Sequence, residues 1–533
     1  MNTVYFDSFS GQFVDQRFAA AAAYLSENPG TRLVIPPGEY VITKQRAKRL
    51  QREVMLGKFG GNPEPKMFSP RASYETAFNL VGAEDIEIEG YGATVLLDGF
   101  MEGFNIERCR NVTIRGLRFD LTRKAYSKGI IIDGGEGYTD ADFGRLTLVN
   151  EKMPSDRIVV VDKKSSLIME VTGTERKEAL GSGKIRFYGF SYGDYRGSEI
   201  YVWHTYHYRP SIHIYRSKNT VIEDVSIYNH CGMGVVGFQS EDIFMHRLNV
   251  VPSCAESIST NTDATHFSSC RGKISFVSCI FEGHGDDAAN IHGYYYDIVR
   301  EENGFYKLSV NENVMTHSCK LDYPEVNDIL QLSKKREIIP IGYFRVTEVI
   351  PDKEDWSCHV KIDEQLPEEL DEYFLANEST TPSLVFRDCN VKNHLARGIL
   401  VKTHNVLIEN CVFDYDTGTA IHVGAEAHWR EGIVSNNIVI KNNRIIKSGY
   451  QGWGRILDAG GISINILSDD PHSPAHRNFL IENNTIDSSM TKHAIYAGNV
   501  DGLVIRNNTL TSAEECIVTE KCVNVTITEN KEI

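Results

Sequence analysis

Apolar and polar residues alternate along this chain in short runs, each closing on a polar or Asn-rich corner. The runs read DIEIEG (85–90), NVTIRG (111–116), NTVIED (219–224), DIFMHR (242–247), KISFVS (273–278), LVFRD (384–388), NVLIEN (405–410), NIVIKN (437–442), NFLIEN (478–483), GLVIRN (502–507) and NVTITEN (524–530). Alternation at period two predicts half-buried strands. None of these strands could bury its apolar face alone. Five steps between neighbouring corners, 90→116, 224→247, 388→410, 483→507 and 507→530, are 22 to 26 residues long. That step suits one coil of a right-handed parallel β-helix, in which equivalent side chains of successive coils stack at a strand spacing of about 4.8 Å. A β-sandwich of short strands would instead show turns every ~8–12 residues and no constant step. Asn410, Asn442, Asn483 and Asn507 at the corners are expected to form an inward ladder of side-chain amides, and Cys389 and Cys411 to stack inside the core.

The rhythm breaks twice, over 116–224 and 278–388, where denser strand patterns with charged turns take over. These intervals predict β-rich subdomains inserted into coil loops, one beginning near Thr122 and the other near Tyr294. Insertions in solenoids tend to collect on the binding face. At the front, Asp15 can cap a helix running to about Ser26, with Asn28-Pro29-Gly30 as its stop. Such a helix closes the open apolar end of a solenoid. The expected division is a cap and first coils over 1–121, an insertion over 122–212, central coils over 213–293, a second insertion over 294–380 and final coils over 381–533.

Charge and composition narrow the function. With 56 Lys+Arg against 72 Asp+Glu, the net charge of −16 disfavours nucleic acid and anionic membranes as partners. The basic run KQRAKRLQRE (44–53) is expected to be a solvated helix face. Eleven cysteines without zinc or redox spacing indicate neither a disulfide framework nor a metal knuckle. No basic segment followed by an apolar run opens the chain, so a cytoplasmic location is the expectation, although a trimmed secretion signal would leave the same start. The oligomeric state stays open.

The stretch GHGDDAANIHG (283–293) sets two like charges, Asp286 and Asp287, side by side. Asp263 in SISTNTDATHFSSC precedes Asp286 by one coil length, so three carboxylates should converge. Adjacent strand residues face opposite sides, so the pair shares a cleft only if the chain bends, which Gly283 and Gly285 permit. Three acidic groups in a concave patch suit inverting glycoside hydrolysis: a protonated carboxyl serves the leaving oxygen and a carboxylate some 6.5–9.5 Å away activates water. Crowding supplies the necessary split in proton affinity. No metal or other cofactor is needed; the competing reading is a calcium site built from the same oxygens.

The segment 232–295, with its pattern DATHF…CRG…C…EG…DDAANIHG, resembles family 110 of the glycoside hydrolases, the exo-acting α-1,3-galactosidases. That resemblance implies an inverting β-helix enzyme with two inserted β-barrel-like subdomains, acting on oligosaccharides or glycans that end in α-galactose. It further implies Asp286 as general acid, with Asp263 and Asp287 positioning and deprotonating water. The Asp-then-Asp-Asp layout is similar to polygalacturonases, but Gly-His-Gly precedes the pair here, and no Arg-x-Lys for a uronate carboxylate is evident. Arg397 and Lys402 in ARGILVKT are expected to face opposite ways. A neutral galactoside is therefore favoured.

Further substrate-binding candidates are His292 and Asn290, two apart on the strand leaving the pair, His266, which can also orient a carboxylate, Arg397, and Trp429 with Glu431 in AEAHWREG (425–432). Trp453, Arg455 and Asp458 form a weaker set. The alternatives are a polygalacturonase-like or other glycan hydrolase, or a non-catalytic, tailspike-like glycan binder.

Overall fold

A computed structural model describes residues 1–67, 72–171, 174–310, 318–452 and 454–533. The alternating runs fall on one parallel sheet of thirteen strands, from Asn2–Tyr5 to Val523–Thr528. A second parallel sheet of twelve strands runs from Gly38–Thr43 to Lys531–Glu532, and a third parallel face from Thr76–Val81 to Ile517–Glu520. Within each face, spatial order follows chain order, so each strand pairs with its counterpart one coil on. This is a parallel β-helix. Among the described residues no helix is long and apolar enough to cross a membrane.

Stacking follows from the register. Phe276 lies against Phe386, Phe386 against Ile408 and Ile408 against Ile440, all buried. The corner Asn residues behave differently from the expectation. Asn410, Asn442, Asn483 and Asn507 are exposed and occupy the left-handed region, with φ between 56° and 57°. Asn tolerates that region better than other residues bearing a Cβ. The turn it makes sends the next side chain inward, so the amide ladder is built one position later: Asn443 Nδ2 donates to Asn484 Oδ1 (3.0 Å), Asn484 Nδ2 to Asn508 Oδ1 (3.0 Å) and Asn508 Nδ2 to Asn530 Oδ1 (2.9 Å). Cys279, Cys389 and Cys411 continue this column, the Cys411 N–H donating to Asn443 Oδ1.

The capping helix spans Val14–Glu27 and packs Phe18, Ala21, Ala22 and Leu25 over the first coil, with Phe18 against Phe78 and Phe104. Asp15 is not its cap. Phe13 holds that position without a side-chain bond, and Asp15 sits in the first turn, paired with Lys44 at 3.3 Å, because the helix starts two residues earlier than the capping rule places it. The basic run forms a helix over Gln45–Met55.

Both insertions leave the coil without disturbing it: Arg110–Arg115 pairs directly with Lys218–Glu223, and Arg271–Val277 with Ser383–Arg387. The second is a closed ring of six strands, Ala289–Arg300, Tyr306–Ser309, Ser357–Ile362, Pro340–Asp352, Ile329–Lys334 and Tyr373–Asn377, the last pairing back to the first. Its first strand begins in the helix face and continues into the ring, so the expected boundary at 293/294 falls inside one strand. The first insertion, an antiparallel sheet of seven strands between Tyr126 and Trp203, is not closed by any strand pairing among the described residues, contrary to the barrel expectation. Its edge strand Ile168–Val171 is covered instead by coil loops: Asn393 Oδ1 accepts from Ile168 N (3.2 Å), Gln451 Oε1 from Glu170 N (3.1 Å), and the Tyr450 hydroxyl donates to Ile168 O (2.6 Å). Those contacts satisfy the edge that closure would otherwise satisfy.

The ladder sets a stability expectation. Asn484→Ala strands the backbone N–H and the amide of Asn443, which both donate to it, and should cost about 1–3 kcal/mol in urea unfolding; a change within error would mean the ladder contributes nothing.

Candidate active site

Residues 283–288 are bent rather than extended, between the strands Ile280–Glu282 and Ala289–Arg300. Gly283 has φ 69°. A Cβ on Gly285 would meet Asn261 O at 2.2 Å, so only glycine lets this backbone approach its neighbour. Two buried imidazoles hold the bend from below. His284 Nδ1 and His394 Nδ1 lie 2.8 Å and 3.2 Å from the carbonyl oxygen of Asp286, their rings stacked at 3.9 Å, and His394 Nε2 is 2.9 Å from buried Asp416.

Asp263 arrives from the neighbouring coil. The pairing of Thr265 with Ala289 sets Asp263 over Asp287 rather than over Asp286, one residue off the sequence register. Oxygens of Asp263, Asp286 and Asp287 come within 4.8 Å of one another. The three are partnered differently. Asp287 is clamped: Arg397 gives Oδ1 its backbone N–H and Nε–H and gives Oδ2 its Nη2–H, all at 2.9 Å. Asp263 Oδ2 meets His266 Nδ1 at 2.7 Å. Among the described residues Asp286 is paired only with Arg157, at 3.8 Å, and it keeps 17% side-chain exposure, against 6% and 2% for Asp263 and Asp287. Burial, reinforced by the charges of Asp263 and Asp287, lifts Asp286 to about 7. Burial and the Asp287 charge push Asp263 well above the ordinary carboxylate range.

The triad lies on the wall of a cleft of about 680 Å³, lined also by Asn290, His266, Arg397, Trp429 and Glu431. The hairpin carrying Trp429 folds back because Glu431–Gly432 pairs with Tyr294 and Gly293, leaving Trp429 60% exposed at the rim. Asn290 donates to Glu431 at 3.4 Å, and its side-chain Oδ1 is buried without a hydrogen-bond partner among the described residues. Two expectations fail. His292 does not line the cleft: it is buried, with Nδ1 on Gly293 O (2.8 Å) and Nε2 on His266 Nε2 (2.8 Å). Arg397 and Lys402 do not face apart; both reach Glu426, at 3.0 and 2.7 Å. The strand between them is only Ile399–Val401, so alternation does not extend across the pair. Arg455 and Asp458 pair with each other at 3.1 Å outside the lining, and Trp453 lies outside the described residues.

Several lining groups escaped the sequence. Arg157 and Glu170 come from the first insertion and pair at 2.7 Å, Arg157 lying over Trp203. Glu64 comes from the N-terminal segment, near His207 at 3.8 Å. No spacing rule links these to the triad. Glu426 did leave a trace, as a charged residue inside the apolar run IHVGAEA, and so did Lys402 in GILVKTHNV, which is buried against Glu426 rather than lining the cleft.

No protein-family profile matches the chain. Curated relatives do. It is 24% identical to "Alpha-1,3-galactosidase B" of Bacteroides thetaiotaomicron, covering 95% of this chain and 86% of that one, and 26% identical to "Alpha-1,3-galactosidase A" of Bacteroides fragilis, covering 90% and 82%. The resemblance read in 232–295 thus extends over most of the chain. Among solved structures, the mannuronan C-5 epimerase A-module of Azotobacter vinelandii aligns over 100% of this chain and 99% of its own at 10% identity and a TM-score of 0.42.

The crowded carboxyl gives a stability test. With its proton held up to about 7, the folded chain binds one more proton than the unfolded chain between roughly pH 4 and 7, so the Asp286 contribution to stability is present at low pH and lost as pH rises through 7. Asp286→Asn should therefore raise the thermal midpoint at pH 8 and change it little at pH 4. An equal shift at both would contradict the assignment.

Proposed function

We propose that this chain, as a relative of the alpha-1,3-galactosidases, is an exo-acting glycoside hydrolase that releases terminal α-1,3-linked galactose with inversion and without a metal. The observation that carries the reading is three carboxylates in one sugar-sized cleft, each with a different partner, in a chain similar to those enzymes over most of its length. Asp286, the most accessible and still protonated near neutrality, gives its proton to the glycosidic oxygen as the C1–O bond breaks. Asp263 takes a proton from the water whose oxygen bonds to C1. Asp287, held by Arg397, orients that water. The cycle closes when Asp286 regains a proton from solvent and Asp263 returns one.

A neutral sugar is supported by the charges of the cleft. Arg157 is paired with Glu170, and Arg397 with Asp287 and Glu426, so each lining arginine already faces a carboxylate. The same occupancy supports metal-free chemistry: both oxygens of Asp287 accept from Arg397, and Asp263 Oδ2 meets His266. The tight cluster also favours a second reading. Oxygens within 4.8 Å are closer than the ~6.5–9.5 Å usual for inversion and nearer the ~5 Å of retaining enzymes, which use a carboxylate as nucleophile.

Following the anomer released from α-1,3-galactobiose by proton NMR in the first minutes separates the two. Inversion gives β-galactose first, unaffected by chelator; α-galactose first would establish retention, and loss with chelator would return the cluster to a cation. Asp286→Asn should lower kcat by about 10²–10⁴-fold. In the wild type, kcat should fall as pH rises through about 7, as the acid loses its proton.

A further inference from the structure

Two aspartates that are neighbours in the chain meet two arginines at different distances. Asp287 is clamped by Arg397, both of its oxygens accepting at 2.9 Å. Arg157 Nη1 stops 3.8 Å from Asp286 Oδ2, beyond hydrogen-bonding reach. The groups that stop it lie largely on the first insertion. Arg157 opens the strand Arg157–Val161, and the pairing of Val159 with Glu170 on Ile168–Val171 makes Arg157 and Glu170 diagonal neighbours on one face of the sheet. Glu170 Oε1 accepts from Arg157 Nε at 2.7 Å. The guanidinium also lies 5.1 Å from the ring centre of Trp203, its partner on the next strand, and 5.6 Å from that of Tyr206. Glu170 is fixed in turn by the coil loops, its backbone N–H donating to Gln451 Oε1 at 3.1 Å. The side chains of Arg157 and Glu170 are 9% and 11% exposed, so solvent screens their charges little.

We propose that Glu170 is a positioning residue for Asp286: by holding Arg157 Nε and balancing its charge, it keeps the guanidinium from closing on Asp286, so that this carboxyl stays free to carry the proton that hydrolysis needs. A carboxylate that accepts hydrogen bonds from a guanidinium is held ionised, which removes it as an acid. The position of Asp286 at about 7 agrees with an arginine held off: burial and the charges of Asp263 and Asp287 raise it, and Arg157 and Arg397 oppose them. His207, beside Glu64 at 3.8 Å, also faces Asp286, and Asp156 lines the same cleft, accepting from the Tyr206 hydroxyl at 3.1 Å. Removing the charge of Glu170 acts on Asp286 twice in one direction. A negative charge near the carboxyl is lost, and Arg157 turns an unbalanced positive charge toward it. Both favour the ionised form, so the proton leaves at lower pH; removing Arg157 does the reverse. The inference rests on the hydrolase reading for its catalytic meaning, but the titration of Asp286 is readable without activity.

The test titrates the aspartate carboxyls of the full chain by ¹³C NMR in wild type, Glu170→Gln and Arg157→Gln, with Asp286→Asn to mark the Asp286 signal. Gln at position 170 keeps an oxygen for Arg157 Nε–H and loses the charge. From about 7 in wild type, the Asp286 midpoint should move down by about one pH unit in Glu170→Gln and up by a similar amount in Arg157→Gln. On α-1,3-galactobiose, the descending limb of kcat against pH should move the same way in each variant. An Asp286 midpoint in Glu170→Gln that stays or rises overturns the proposal. So does a uniform loss of kcat with no movement of the limb, which is what a merely structural pair would give. Should Glu170→Gln fail to fold, Arg157→Gln and the double variant, which leaves no unpaired charge, decide in its place: the midpoint must rise in the first and return toward wild type in the second, and failure of either overturns the proposal. A wild type inactive on galactobiose whose Asp286 midpoint still moves as expected would sink the galactosidase reading and leave the role of Glu170 toward Asp286 standing.

Discussion

Stacking at the strand spacing is the constraint on which everything else in this molecule depends. Once the chain coils so that each side chain lies over its counterpart, like residues are brought into contact whether or not they attract. In the Asn column the contact is favourable, because each amide both donates and accepts, and Asn443, Asn484, Asn508 and Asn530 bond in series. In the Asp column the same geometry forces repulsion. Asp263 over Asp287, with Asp286 beside it, is tolerable only because Arg397 neutralises one carboxylate and protons remain on the others. That crowding keeps a proton on Asp286 up to about pH 7.

The surrounding structure serves to keep the crowd in place. The bend at 283–288 aims two consecutive side chains the same way, His284 and His394 hold its carbonyl, and buried Asp416 holds His394. Arg397, Lys402, Glu426 and Glu431 form a buried chain of alternating charge across neighbouring coils. Removing one member of such a set would leave an uncompensated buried charge, which costs far more than the set as a whole contributes. The first insertion brings Arg157 to within 3.8 Å of Asp286, so the open sheet docked on the coil loops is part of the electrostatic environment of Asp286.

The solenoid was legible because one of its three faces repeats a long alternating run. The strands of the other faces are as short as Asn390–Lys392, too brief for any period to register. The Asn ladder was misplaced by one residue, since period-two reading cannot see that a left-handed corner resets the alternation. The three aspartates were legible from coil length, Asn290 from its nearness to the pair in sequence, and Trp429 and Glu431 as an aromatic and an acid set together in the coil loop AEAHWREG. Arg157, Glu170 and Glu64 were not, because they reach the cleft through tertiary docking that leaves no periodic trace. His292 was visible as a residue and misjudged in its contact. Strand parity gives a face, while depth along the strand decides whether a side chain meets solvent or another histidine.

Crowding should leave one accessible carboxyl, that of Asp286, protonated near neutral pH. The most direct test is a ¹³C titration of the aspartate carboxyls, comparing wild type with Asp286→Asn to identify the Asp286 signal. A carboxyl titrating near 7 in wild type and missing from the variant is expected. An Asp286 signal that titrates near the ordinary value of about 3.9 would contradict it.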